Sequence, residues 1–217
     1  MPPKNHGDAR RKILDAALHE IRAQGFAATS VDALCAAAGV TKGAFFHHFA
    51  SKEALGVAAA DYFSAFADNV FAHAPYRSLK DPVERLLGYV DFRIAILQGE
   101  LPDFTCLVGT MVQEAYETHP AIRKACEQCI CDHASMVEVD IAEAIAQRGL
   151  KPDWSARSLA LYTQAVIQGA FVLAKATHGP QVAAESLDHL KNYLRLLFAK
   201  RPSKEKQNAG RSRTGSA

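Results

Sequence analysis

Apolar residues along this chain recur every three to four positions, the spacing of α-helices, and no Val/Ile/Thr-rich run alternates at the period of a strand. A first helix is expected over 8–24, with Ile13, Ala17, Leu18 and Ile21 inward and Arg10, Arg11 and Lys12 near its start. Val31, Leu34, Cys35 and Ala38 fall at i, i+3, i+4 and i+7, one face of a short second helix. Thr29 is placed to cap it, with Asp32 completing a capping box, and Gly39 ends it in the left-handed geometry of a sharp stop. Val40 can plug the corner, Thr41 caps a third short helix and Ser51 a fourth. The alanines at 36–38 let two helices approach closely.

Beyond this unit the helical spacing continues. Leu55, Ala59, Tyr62, Phe63 and Phe66 mark a helix from 52 to about 73. Pro82 sits in the first turn of another, over 82–98, and Pro102 and Asp103 restart the chain into a helix reaching about 118. Pro120 opens a long helix to 148, closed by Gly149. Asp153 or Ser155 starts one to 177, closed by Gly179 and Pro180, and 181–200 is the last. Between 158 and 184 the only formally charged side chain is Lys175, so that helix should be covered on most sides. A second subunit is the simplest cover. Leu187, Leu190, Leu194, Leu197 and Phe198 offer the matching stripe, which predicts a homodimer closed by a four-helix bundle. The expectation is an all-α chain of about nine helices: a reader over 1–50, a helical effector-binding and dimerisation body over 51–199, and a basic tail over 200–217.

Two short helices around a glycine turn form a helix-turn-helix, which points to double-stranded DNA as the partner. The second of them enters the major groove with its N-terminal residues on base edges, here Thr41, Lys42, Gly43 and Ala44. Lys42 is the first choice for base reading, because phosphates position and bases specify. Thr29, Lys52 and His47 are the candidate phosphate contacts. The plainer alternative is a helical corner that only packs.

Residues 10–55 resemble the DNA-binding domain of the TetR family of bacterial transcriptional repressors. The resemblance rests on Ile13-Leu14-Asp15-Ala16-Ala17, Gly25-Phe26, Thr29-Ser30-Val31, Ala38-Gly39-Val40-Thr41-Lys42-Gly43, Phe46-His47-His48-Phe49 and Ser51-Lys52-Glu53-Ala54-Leu55. One position departs: the family usually has Tyr where this chain has Phe46, and a phenyl ring cannot hydrogen-bond a phosphate. The resemblance implies a homodimer whose two readers meet a palindromic operator in successive major grooves, about 34 Å apart. It also implies release by a small-molecule effector held among the body helices.

Charge refines this picture. The net +2 divides unevenly, with the surplus in the reader and the polar tail from Lys200 to Ala217, and a deficit between them. Such a tail is expected to be disordered, and it can add sequence-independent attraction to DNA. Five cysteines, an odd number scattered among helices, argue for reduced thiols in a cytoplasm. No continuous apolar run of membrane-spanning length and no signal-peptide pattern is present in the sequence, so a membrane location is not expected.

Candidates for lining an effector cavity are Phe92, Ile96, Cys106, Thr110, Met111, Gln113, Trp154, Tyr162, Gln168, Phe171 and Lys175, mostly apolar with a few polar groups; plain core is the alternative for each. Cys106 stands near a helix N-terminus, where the dipole favours a thiolate, and Lys175 is a candidate cationic neighbour. The segment is also similar to a branch of the family in which a cysteine at this place senses electrophiles or oxidants; a small packing thiol is the alternative. Cys126, Cys129 and His133 share a helical face while Cys131 points elsewhere. With no loop to bring a fourth ligand, packing is preferred to a metal site, and neither metal nor cofactor is expected. No nucleophile elbow, phosphate loop or His-Glu metal motif occurs, so the chain is not read as an enzyme. A cysteine-dependent enzyme would need a base for Cys106 that the sequence does not identify. A DNA-binding architectural protein without effector is the remaining rival, and it expects no cavity.

Overall fold

Caps and prolines in the sequence set most of the observed helix ends. The computed structural model describes residues 6–199, and among them every regular element is helical. In chain order these are α1 (His6–Gln24), α2 (Val31–Ala38), α3 (Lys42–His48), α4 (Lys52–Ala72), α5 (Pro82–Ala95), α6 (Leu101–Phe104), α7 (Leu107–Ala115), α8 (Pro120–Arg148), α9 (Ala156–Thr177) and α10 (Gln181–Leu197). A 3-10 turn over Pro75–Ser78 joins α4 to α5. The basic tail at 200–217 lies outside the described residues.

Three local expectations are corrected. Ser30, not Thr29, caps α2, accepting from the Ala33 N–H. Thr29 is buried and its hydroxyl donates to the Gly25 carbonyl at 2.6 Å. Asp32 leaves the expected capping box and pairs with Lys42 at 2.8 Å. The helix expected from 102 to about 118 breaks in two. Thr105 and Cys106 take extended backbone, the Thr105 hydroxyl donates to the Leu101 carbonyl, and Cys106 becomes the N-cap of α7. Adjacent residues whose side chains can bond to the backbone offered an alternative to continuing the helix, and the chain took it. Finally, α9 closes on His178 in left-handed geometry (φ 55°), one residue before the expected glycine.

Packing forms two clusters. The reader's core of Ile13, Leu14, Leu34, Phe45 and Leu55 continues into Met111 on α7 and Ile122 and Cys126 on α8. The boundary expected between residues 50 and 51 falls in the short link between α3 and α4, and apolar packing crosses it. The second cluster gathers Phe71, Leu86, Tyr89, Ile141, Leu159, Ile167, Leu187 and Leu194 from α4, α5, α8, α9 and α10. The stripe of Leu187, Leu190, Leu194 and Phe198 expected to meet a second subunit is therefore instead buried within one chain, against α5 and α9. By length and composition α9 could cross a bilayer, but its buried face packs between α8 and α10 as a core helix.

Candidate functional site

The reading face is built on α3. Thr41 accepts from the Ala44 N–H at 3.1 Å, and Gly39 supplies the left-handed turn (φ 63°) that sets α3 across α2. Phe45 and Phe49 anchor α3 in the core, which leaves Thr41, Lys42, Gly43, Phe46 and His47 exposed and Ala44 half-buried. Phe46 is half exposed with no polar atom to offer. The Lys42 ammonium, on the same face, is held by Asp32, which raises its pKa. Engaging a base edge therefore requires Lys42 to leave a local ion pair, a small cost at an exposed site.

Two expected phosphate contacts are otherwise employed. Thr29 is buried and its hydroxyl is spent on Gly25, so its side chain cannot reach a backbone phosphate. Lys52 reaches under the α1–α2 turn. Its Nζ donates to the carbonyls of Phe26 (2.9 Å), Ala27 (3.3 Å) and Thr29 (3.0 Å) and lies 4.5 Å from the Phe26 ring centroid. Burial lowers its pKa. Those carbonyls follow the end of α1, and a cation there complements them. From the other side Glu114, at the C-terminal end of α7, accepts from the Ala27 N–H at 2.7 Å. Gly25 (φ 92°) makes room for it, since a Cβ there would fall 2.2 Å from the Glu114 carboxylate. The reader is thus gripped by α4 and α7 at one turn.

A cavity of about 220 Å³ opens between reader and body. Its walls come from Arg22 on α1, Phe63, Phe66, Ala67 and Phe71 on α4, Arg93 and Ile96 on or after α5, Phe104 to Cys106 at the α6–α7 break, His133 on α8, and Gln164, Gln168 and Phe171 on α9. Of the expected lining residues, Ile96, Cys106, Gln168 and Phe171 are there. Thr110, Gln113 and Lys175 line a crevice of about 20 Å³ that also reaches Cys106. Four are elsewhere. Phe92 packs edge-on behind Phe71, and Met111 is fully buried in the reader's core. Trp154 rests on Phe198 along a separate groove. Tyr162 is exposed beside Tyr193. For Tyr162, helical spacing alone could not tell the faces apart, because α9 is apolar on nearly every side.

The sequence reading missed the polar end of this cavity. Arg93 donates through Nε to the Tyr89 hydroxyl (3.2 Å) and through Nη2 to His133 Nε2 (2.7 Å), while Gln164 Nε2 donates to Tyr89 (3.2 Å). Burial, and then Arg93, push the His133 pKa down to about 3, so the imidazole is neutral and Nε2 accepts. Arg93 and Tyr89 are one helical turn apart, but His133 lies 40 residues from Arg93 and Gln164 lies 75 from Tyr89, and no local pattern announces those two.

Around Cys106 the thiol sulfur accepts from the Gly109 N–H at 3.4 Å. Gly109 permits this packing, because a Cβ there would fall 2.0 Å from Gln168 Oε1. Lys175 Nζ donates to the Thr110 hydroxyl at 2.8 Å, and burial lowers its pKa. Arg22 is also lowered by burial, with Cys106 and Asp103 acting the other way. It spans the interface, donating to the Asp103 and Thr105 carbonyls. Among the described residues no cluster has the geometry of a metal site; Cys126 and Cys129 are buried, and burial raises their pKa values to about 12 and about 11. On the outer face of α9 and α10, Leu161, Tyr162, Val172, Leu173, Tyr193 and Leu196 are exposed.

Known proteins share the sequence pattern and the fold of this chain. Residues 13–59 match the model for bacterial regulatory proteins of the tetR family, and residues 82–190 match the tetracyclin repressor-like C-terminal domain. The HTH-type transcriptional regulator LmrA of Bacillus subtilis (strain 168) is 25% identical over 178 residues, 78% of this chain and 88% of that protein. A TetR-family regulator from Agrobacterium tumefaciens superposes with a TM-score of 0.78 at 18% identity, over 87% of this chain and 98% of that one. The reduced form of E. coli NemR superposes with a TM-score of 0.73 at 22% identity, over 85% and 96%.

Proposed function

The chain belongs to the TetR family of bacterial regulatory proteins and is a DNA-binding transcriptional regulator, not an enzyme; from that premise we propose that it is a cytoplasmic, homodimeric repressor released from a palindromic operator by an effector in the cavity or by modification of Cys106. One observation carries the reading. The cavity is walled by the reader's own first helix, through Arg22, and by α4, which runs from the reader into the body. A ligand there acts on the reader directly.

Each half of the switch has its parts. Two copies joined through the exposed apolar faces of α9 and α10 bury Tyr162, Tyr193 and Leu196 and set two readers side by side. Lys42 and Thr41 meet base edges, and His47, Gly43, Ala44 and Phe46 lie against the groove wall. Release requires the effector to favour the arrangement that does not fit DNA. Displacing Arg22 from the Asp103 and Thr105 carbonyls, or moving α7 at its Cys106 end, disturbs the turn that Glu114 and Lys52 clamp. Cys106 is half-buried on the cavity wall, so an electrophile small enough to enter meets its sulfur.

The test is operator binding by the purified protein on its own upstream DNA, before and after N-ethylmaleimide, with Cys106→Ser alongside. Release in wild type only supports thiol control. Release of the Cys106→Ser protein as well removes Cys106 from the switch. Release of neither leaves reversible occupancy of the cavity as the trigger.

A further inference from the structure

Arginines inside the body of this protein come with carboxylates. Arg77 and Arg85 share Asp140, Arg148 takes Asp81, and Arg157 takes Glu138. Arg93 breaks the pattern. It is half-buried on the cavity wall and makes no ion pair among the described residues. Its guanidinium lies 4.3 Å from the Phe71 ring centroid, and among the described residues its hydrogen-bond acceptors are the Tyr89 oxygen and His133 Nε2.

The donor count sharpens this. Arg93 carries five N–H groups, Gln164 donates into the same cluster, and the Tyr89 hydroxyl has a proton of its own to place. His133, kept neutral by its burial, offers a single lone pair, to which both Arg93 and Tyr89 point. Donors therefore exceed acceptors, and Arg93 Nη1 has no acceptor among the described residues. A cation in such a place is stabilised by an anion delivered from outside, and a planar carboxylate fits the guanidinium fork. The remaining wall is aromatic: Phe63, Phe66, Phe104 and Phe171 face the same space as Phe71. Two carboxylates also line it. Asp103 is held by the Glu100 N–H and sits beside Arg22, and Asp68 is exposed.

We propose that the cavity binds a small aromatic carboxylate, its ring among the phenylalanines and its charge on Arg93 of the Arg93–His133–Gln164 cluster. The proposal rests on reading the cavity as the effector site, and it names that effector's chemistry.

The experiment compares naphthoate with its neutral isostere naphthamide, by calorimetric titration of the full-length protein and by operator release. Naphthoate should bind wild type roughly tenfold or more tightly than naphthamide, the worth of one charge-assisted pair. Arg93→Met should weaken naphthoate far more than naphthamide and so erase that preference, and Arg93→Lys should restore part of it. Equal binding of the two probes by wild type overturns the proposal, as does naphthoate binding that is indifferent to Arg93. If naphthamide alone binds and releases the operator, the cavity remains the effector site and the anion preference is wrong. If neither binds, the proposal is overturned, and the N-ethylmaleimide experiment decides the switch by itself.

Discussion

Replacing Lys52 by Met separates two jobs that a lysine beside a DNA reader can do. The substitution keeps the apolar stem and removes the ammonium from three carbonyls and from the face of Phe26. A buried hydrogen bond to a charged group contributes ~1.5–3 kcal/mol, and an exposed cation over a ring ~0.5–1 kcal/mol. Lys52 is half-buried and its three acceptors share one head, so discounting for solvent leaves a loss of about 2–3 kcal/mol. For a chain of this size that corresponds to a fall in Tm of roughly 5–10 °C. Thermal unfolding with and without the substitution measures it, and the salt dependence of operator binding supplies the discriminating readout. A lysine that holds the α1–α2 turn weakens binding without changing the salt slope. A lysine on a phosphate leaves stability alone, and its removal lowers the slope by about 0.9 for each phosphate no longer neutralised. Unchanged Tm with a reduced slope would refute the clamp.

Three further outcomes are expected. Tyr193→Asp combined with Leu196→Asp should convert the dimer to monomers by size-exclusion chromatography, and a surviving dimer would place the interface elsewhere. Stability should be pH-dependent through His133. Its folded pKa of about 3 lies below the ordinary value, so its contribution is complete above about pH 6.5 and is lost as pH falls toward 3, at up to ~1.4 kcal/mol per unit. Urea midpoints between pH 7 and 5 should slope less for His133→Gln, and parallel slopes would contradict the assignment. Under iodoacetamide, peptide mapping should find half-buried Cys106 and Cys131 labelled before Cys126 and Cys129, whose thiols burial holds protonated; the reverse order would overturn that account.

How legible this was depended on the range of the interactions. Gly39, Thr41, Ser51, Pro120 and Gly149 mark helix ends by chemistry local to each residue, and the structure uses each as read; of the two alternatives Asp153 and Ser155, it uses Ser155. The exposed face of α3 follows from Phe45 and Phe49, which the sequence reading did not single out: both are buried and leave Lys42 and His47 out. Thr29 and Ser30 compete for one cap, and sequence could not reveal that the Gly25 carbonyl had claimed the Thr29 hydroxyl. The clamp at Lys52 was not legible because its partners are carbonyls 23 to 26 residues away, which carry no residue-type signal. The cavity fared likewise. Ile96, Cys106, Gln168 and Phe171 line it as expected, but Arg22, Arg93 and His133 reach that space from three different helices, α1, α5 and α8. Trp154 and Tyr162 were picked for their chemistry, and only packing shows that they face other surfaces.

The most direct measurement is a footprint of the purified protein on its own upstream DNA, wild type beside Lys42→Ala. The account predicts protection of two half-sites on one face of the duplex, one helical turn or a multiple apart. Lys42→Ala should lose roughly tenfold or more in specific affinity, with nonspecific binding little changed. No protected site at concentrations below nonspecific coating would contradict the central claim, and equal losses on specific and random DNA would remove Lys42 as the reading residue.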